Sequence, residues 1–310
     1  MALARGSPRV AVSHHRIRWS PDVPHPPCRG GRDHPANSSA PLVYPQEAGK
    51  LTPMLILLPP SEGKTAPADG PKLNLPQVAP GGEELLEARG EILTRLQEVS
   101  AREDALDVLG VGQRIQGEVE ANTRLETAAC APAREIYTGV LYDAGDLAHA
   151  PSSEDVAVLV QSALFGVVDL ESLIPAYRLS MSVKLPGVGA LASWWRPQLE
   201  ELLNGLAAQH QVVVDARSGE YRKAWPGVKA DADLITVSAV RDRAGKRSVV
   251  SHEAKRYRGI LTGALMRRGG QVENSVDFVI DTARSLIGED VTGVEVRETK
   301  HALDLVIVTP

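Results

Sequence analysis

Hydrophobic periodicity in this chain begins only at Met54. The run MLILLPP (54–60) is apolar throughout and far too short to span a bilayer, so it reads as one buried strand. Before it, residues 1–53 hold nine of the 22 prolines, four of the eight histidines, and seven Lys/Arg against three Asp/Glu, with neither a helical nor a strand period. Such a stretch cannot bury enough apolar surface to offset its chain entropy. Residues 1–53 are therefore expected to be a disordered extension left by a mis-assigned start, with Met54 the natural initiator. The other reading is a basic arm able to touch nucleic acid. The folding unit is then a single domain, 54–310, which carries 27 basic and 36 acidic residues and is thus about −9.

Within that unit the pattern alternates. Buried strands are expected at 54–60, 156–168 and 301–310, further strands at 232–240 and 247–251, and a strand followed by a polar loop at 211–221. Helices are expected at 82–100, 189–209, 252–269 and 275–287, and residues 101–126 read as helix, tight hairpin, helix. Several helices follow one another at 82–126, which favours a mixed β-sheet surrounded by helices (α/β, with α+β character) over a regular doubly wound fold. No apolar run reaches the roughly 18 residues of a membrane span, so no membrane partner is expected. Two cysteines, Cys28 and Cys130, make no disulfide framework and suit a reducing compartment. The first residues lack the continuous apolar core of a signal peptide, so the expected location is the cytoplasm.

Standard catalytic motifs fail one by one. Glu62-Gly63-Lys64-Thr65 follows a strand and ends in GKT, but the earlier P-loop glycine is missing and prolines follow instead of a helix. Glu298-x-x-His301 has the spacing of one di-iron helix motif, yet it stands alone and leads into a strand. Cys130 has no CxxC partner, and a small buried thiol is the simpler reading. No metal and no cofactor is called for. Two features remain. Leu109-Gly110-Val111-Gly112 has the pattern of a helix-hairpin-helix turn, in which Gly110 and Gly112 would let backbone amides approach a DNA phosphate; a plain turn between helices is the bland alternative. Residues 241–268 hold nine Lys/Arg against Asp242 and Glu253, and phosphate contact or ion pairing with the acidic remainder would each explain the cluster.

Five segments, PPSEGK (59–64), EIYTGVLYDA (135–144), SALFGVVDLESLIPAYRLSM (162–181), DARSGEY (215–221) and SHEAKRYRG (251–259), resemble in order and spacing the YaaA family of bacterial peroxide-stress-response proteins. The resemblance spans essentially 54–310. It implies a mixed α/β fold with a helix-hairpin-helix element, an intracellular role limiting damage from unincorporated iron, and DNA binding through a positive cleft. It supplies no established reaction. Ser61, Glu62 and Lys64 match the family's first loop, Tyr137 its Tyr-x-Gly turn, and Tyr177 and Arg178 its central loop. Ser218, Glu220 and Tyr221 match Ser-x-Glu-Tyr, and Lys255, Arg258 and Gly259 match the basic helix. The family's further Arg about one turn later falls here on Thr262 or Gly263, with Arg267 and Arg268 as stand-ins.

Most of these residues follow buried strands, where α/β folds build their sites. Lys64, Arg178, Lys255 and Arg258 would attract phosphate. Glu62 or Glu220 could serve as acid or base, and Tyr137, Tyr177 or Tyr221 could stack a base. Two functions follow as expectations. The first is a DNA-binding stress protein without turnover. The second is an enzyme acting on a nucleotide, a nucleobase or damaged DNA, for example by glycosidic-bond cleavage.

Overall fold

The structure is a computed structural model describing residues 52–228, 232–243, 246–249, 253–269, 275–288 and 290–310. The readings placed on 1–51, on 250–252 and on Gly270 lie outside the described residues. The first strand, β1 (Thr52–Leu58), takes in Thr52 and Pro53, so it starts two residues before Met54, with Thr52 in register with His210.

Helices α1 (Leu86–Ser100), α2 (Ala105–Leu109) and α3 (Gln116–Asn122) come next. A two-residue strand β2 (Ala131–Pro132) leads into two short helices, α4 (Ala133–Ile136) and α5 (Val140–Gly145). The hairpin of β3 (Val156–Ser162) and β4 (Gly166–Asp169) is buried along its whole length. Short strands β5 (Leu173–Ile174), β6 (Lys184–Leu185) and β7 (Gly189–Ala190) precede α6 (Leu191–Ala207). Then follow β8 (His210–Asp215), α7 (Gly219–Ala224), β9 (Asp233–Arg243) and β10 (Lys246–Val249). The chain closes with α8 (Glu253–Arg268), α9 (Ser275–Arg284), β11 (Gly293–Glu298) and β12 (Leu303–Thr309).

The main sheet has the order β11-β12-β9-β8-β1-β3-β4, with β10 paired to β9. Its centre, β3-β1-β8-β9-β12, is parallel, while β4, β10 and β11 pair antiparallel. The expected mixed α/β sheet is thus present. Strands β1, β3 and β8 carry continuous apolar runs because this part of the parallel sheet is covered on both faces, whereas β9 alternates buried and half-buried positions. Helix α8 packs on β9, α9 on β8 and β11, and α6 on β8 and β4. Parallel strands all end on one side, which places the loops after β1, β3 and β8 together. Among the described residues no helix is long and apolar enough to cross a membrane.

Helices α5 and α8 meet backbone to backbone. A Cβ built on Gly259 would collide with the carbonyl of Leu141, and one on Gly263 with the carbonyl of Gly145. No side chain fits at Gly263, so the family's further arginine has no place there. Thr262 turns its hydroxyl to the Arg258 carbonyl at 2.8 Å. Because the obstacle is backbone on both sides, neither helix can yield locally, and Gly259→Ala is expected to lower stability by about 3 kcal/mol. Urea unfolding of the variant beside wild type checks this. Equal midpoints would mean that the two helices slide apart freely.

Candidate functional site

The loop after β1 is pinned from both sides. Pro59 and Pro60 cannot extend the ladder. Ser61 Oγ accepts from the Thr138 amide at 3.1 Å and donates to the Gly63 carbonyl. The Lys64 backbone bridges to Tyr137, and the Thr65 amide donates to Ile136 O at 3.0 Å. So fixed, Lys64 folds its amine back to donate to Ser61 O at 2.9 Å. The amine lies 4.1 Å from the centre of the Tyr177 ring and 5.6 Å from that of Tyr137. Tyr137 and Tyr177 share a hydroxyl contact of 3.1 Å, and Tyr177 meets Ser162 Oγ at 2.8 Å. Burial lowers the Lys64 amine to about 7; the nearby Arg178 pushes the same way, while Glu118 and Glu62 oppose. Lys64 is thus only partly charged at neutral pH.

A cleft of about 370 Å³ opens beside this group. Ser61 and Glu62 form one wall, Val108 to Val111 the second, and the Arg178–Lys184 stretch and Tyr221 complete it. Gly110 caps α2 in the left-handed conformation (φ +66°), which favours glycine, whereas Gly112 is extended and needs no glycine for its conformation. Arg178 donates to Glu62 O at 2.9 Å and lies 3.6 Å from the Glu118 carboxylate. Asn122 at the end of α3, fully buried, holds Arg178 in place: its amide donates to Arg178 O at 3.0 Å and its oxygen accepts from Arg178 N at 2.9 Å. Neither Asn122 nor Glu118 stands out in the sequence, because their partner lies more than 50 residues away.

The other expected residues divide. Tyr221 is half-buried on the cleft wall. Tyr137 and Tyr177 are buried beneath Lys64 and present no open face for stacking. Glu62 stands exposed at the rim, 4.0 Å from Lys255 Nζ. Ser218 takes the N-cap position of α7 without a side-chain cap bond, and Glu220 faces solvent, paired with Lys223 at 2.7 Å. Arg258 Nε donates to Val237 O at 3.0 Å, and Arg258 is not among the residues that line the cleft.

A second polar group closes the end of β8. The Asp215 carboxylate receives Arg217 through Nε at 3.0 Å and Nη2 at 2.8 Å, and Arg217 Nη1 reaches Gln161 Oε1 at 2.6 Å. Arg222 stands 3.2 Å from the same carboxylate, and Arg217 stacks 5.0 Å from the Trp225 ring.

The sequence profile of a family described as peroxide stress protein YaaA matches residues 54–279. The chain belongs to that family. It is 42% identical over 233 residues to a UPF0246 protein of Streptomyces coelicolor, covering 73% of this chain and 88% of the relative. It is 37% identical over 242 residues to one of Corynebacterium glutamicum (76% and 95%), and 37% over 256 residues to one of Corynebacterium efficiens (82% and 100%).

In this YaaA-family chain the basic stretch 241–268 is largely occupied internally. Arg241 pairs with Glu253, Arg247 with Asp242 and Glu295, and Arg256 with Asp290. Arg267 donates one Nη1 bond to Gly145 O and Arg268 one to Thr282 Oγ1, while both residues stay exposed. Burial pushes the Cys130 thiol up to about 11, which disfavours the thiolate that peroxide chemistry needs. Glu298 and His301 are exposed at the β11–β12 turn.

Proposed function

We propose that this YaaA-family protein limits iron-dependent oxidative damage in the cytoplasm during peroxide stress by binding DNA at the cleft. The observation that carries this reading is that the Gly110–Val111 turn, Arg178 and Lys184 line one cavity. A cationic wall would hold a phosphate, and the glycine turn would let backbone come close to it. Helix-hairpin-helix geometry is the form in which α2, this turn and α3 would do so. The occupied cations of 241–268 argue against a broad basic face, so affinity would rest on about three phosphate contacts, from Arg178, Lys184 and Lys255.

The expected result follows from counterion release. Duplex affinity should fall with a log–log salt slope near −2.7, or about 40-fold between 50 and 200 mM salt. In Lys184→Ala/Lys255→Ala the slope should drop to about −1. Fluorescence anisotropy of the full chain with duplex, single-stranded and bubble DNA measures both. No binding of any form at 50 mM salt would end this reading.

A second reading, an enzyme acting on a nucleotide, nucleobase or damaged DNA, is favoured by the partly neutral Lys64 amine beside the cleft. Glu62 and Glu220 are weaker candidates for its acid or base, since both are exposed.

A further inference from the structure

We propose that Lys64 is the nucleophile of the cleft, its amine condensing with the aldehyde of a phosphate-bearing sugar to form a Schiff base. A lysine becomes nucleophilic at neutral pH when it is desolvated against apolar groups or placed beside another cation. Lys64 meets both conditions. Its amine lies against the rings of Tyr177 and Tyr137, Arg178 is its cationic neighbour, and its hydrogen bond runs to a carbonyl, Ser61 O, not to a carboxylate. Lys64 itself is not among the lining residues, but its amine is hydrogen-bonded to Ser61 O, and Ser61 and Arg178 both line the cleft, so a small shift of the side chain would bring the amine to the ligand space. At pH 7 an ordinary lysine is neutral in about one molecule in 2,500, whereas burial lowers Lys64 to about 7, so that its neutral form is a substantial species there. The charged and titratable groups that face it are Arg178, Glu118, Glu62, Tyr137 and Tyr177.

The chemistry balances without a co-reactant. The neutral nitrogen adds to the carbonyl carbon, and its proton passes to the oxygen to give a carbinolamine. The hydroxyl then leaves as water as the C=N bond forms. Arg178 and Lys184 supply the cations that would hold the phosphate of the same sugar. Two sources share this chemistry, the open-chain sugar of an abasic site in DNA and a free sugar phosphate. The inference uses the cleft of the proposed function but does not require DNA to be the ligand.

The test is trapping with cyanoborohydride, which reduces the imine to a stable secondary amine. The full-length protein is incubated separately with an abasic oligonucleotide and with 2-deoxyribose 5-phosphate, and the adduct is mapped by peptide mass spectrometry. The expected result is an adduct at Lys64 that grows between pH 6 and 8 with a midpoint near 7. Lys64→Arg should abolish it, and Arg178→Gln should move the midpoint upward because a repelling cation is gone. An adduct with the free sugar alone would support the nucleophile and count against DNA as its source. Absence of any Lys64 adduct at pH 8, or labelling spread over surface lysines and unchanged in Lys64→Arg, would overturn the proposal. Mapping on the wild-type protein decides the matter even if Lys64→Arg folds poorly.

Discussion

Arg89→Met is expected to cost the fold about 4 kcal/mol and to lower its melting temperature by about 10 °C. Arg89 lies on α1 with no exposed surface. Its guanidinium donates to Phe165 O at 3.0 Å, Val78 O at 2.7 Å, Gly81 O at 3.3 Å, Pro80 O at 2.8 Å and Val167 O at 2.9 Å. One side chain thus ties the 78–81 loop to the β3–β4 hairpin. Burial lowers the group to about 10, against the pull of Asp169, so it remains charged at neutral pH. The carbonyl dipoles take the place of a full carboxylate partner. Methionine fills much of the volume but donates nothing, and each buried carbonyl left without a donor costs about 1–3 kcal/mol before relaxation. Lysine would keep the charge but places its donors on one nitrogen, which cannot span carbonyls on both segments, so Arg89→Lys should also melt early. Thermal unfolding followed by circular dichroism at pH 7 measures both. A shift below about 3 °C in Arg89→Met would mean that water replaces the guanidinium at little cost.

The sequence reveals strands such as β1 and β8 because a strand buried on both faces shows as an unbroken apolar run. The same property hides the β3–β4 hairpin, since VAVLVQSALFGVV is apolar through the turn as well as the strands. Strand β11 escapes notice because it is a sheet edge, half-exposed and charged at alternate positions. Helix α7 escapes because six residues are too few for a 3.6 period to register. At the site, the loop PPSEGK points to the right place through its position after a buried strand. What makes Lys64 unusual is not local. Its rings come from Tyr137 and Tyr177, and its charged neighbours include Arg178 and Glu118. The basic stretch misleads for the same reason: Glu295 and Asp290, which occupy Arg247 and Arg256, lie 48 and 34 residues further on. Charge clustering in a sequence counts cations without showing which of them the fold has already paired.

Arg217→Met is expected to destabilise the protein by about 3–5 kcal/mol at pH 7, because it leaves the Asp215 carboxylate buried without its main partner. Burial alone would push the Asp215 acid up, but the Arg217 charge and hydrogen bonds, helped by Arg222, outweigh it and hold the group below the usual aspartate range. The wild-type pair therefore contributes stability above the unfolded aspartate value of about 3.9, and that contribution is lost as pH falls through the lower folded value. In the variant the balance reverses. Burial dominates, the folded acid rises above 3.9, and the folded state then takes up a proton before the unfolded chain does. The deficit should accordingly be greatest at neutral pH and shrink as pH falls toward about 4, while Arg222, 3.2 Å from the carboxylate, limits its size. Asp215→Leu/Arg217→Met removes both charges and should recover part of the loss, since an apolar pair carries no uncompensated ion. Urea unfolding at pH 4.5 and 7 for the three proteins separates the possibilities. A deficit that grows on acidification, or a double variant worse than the single, would show that Arg217 stabilises this end of β8 through its bond to Gln161 and its packing on Trp225 more than through Asp215.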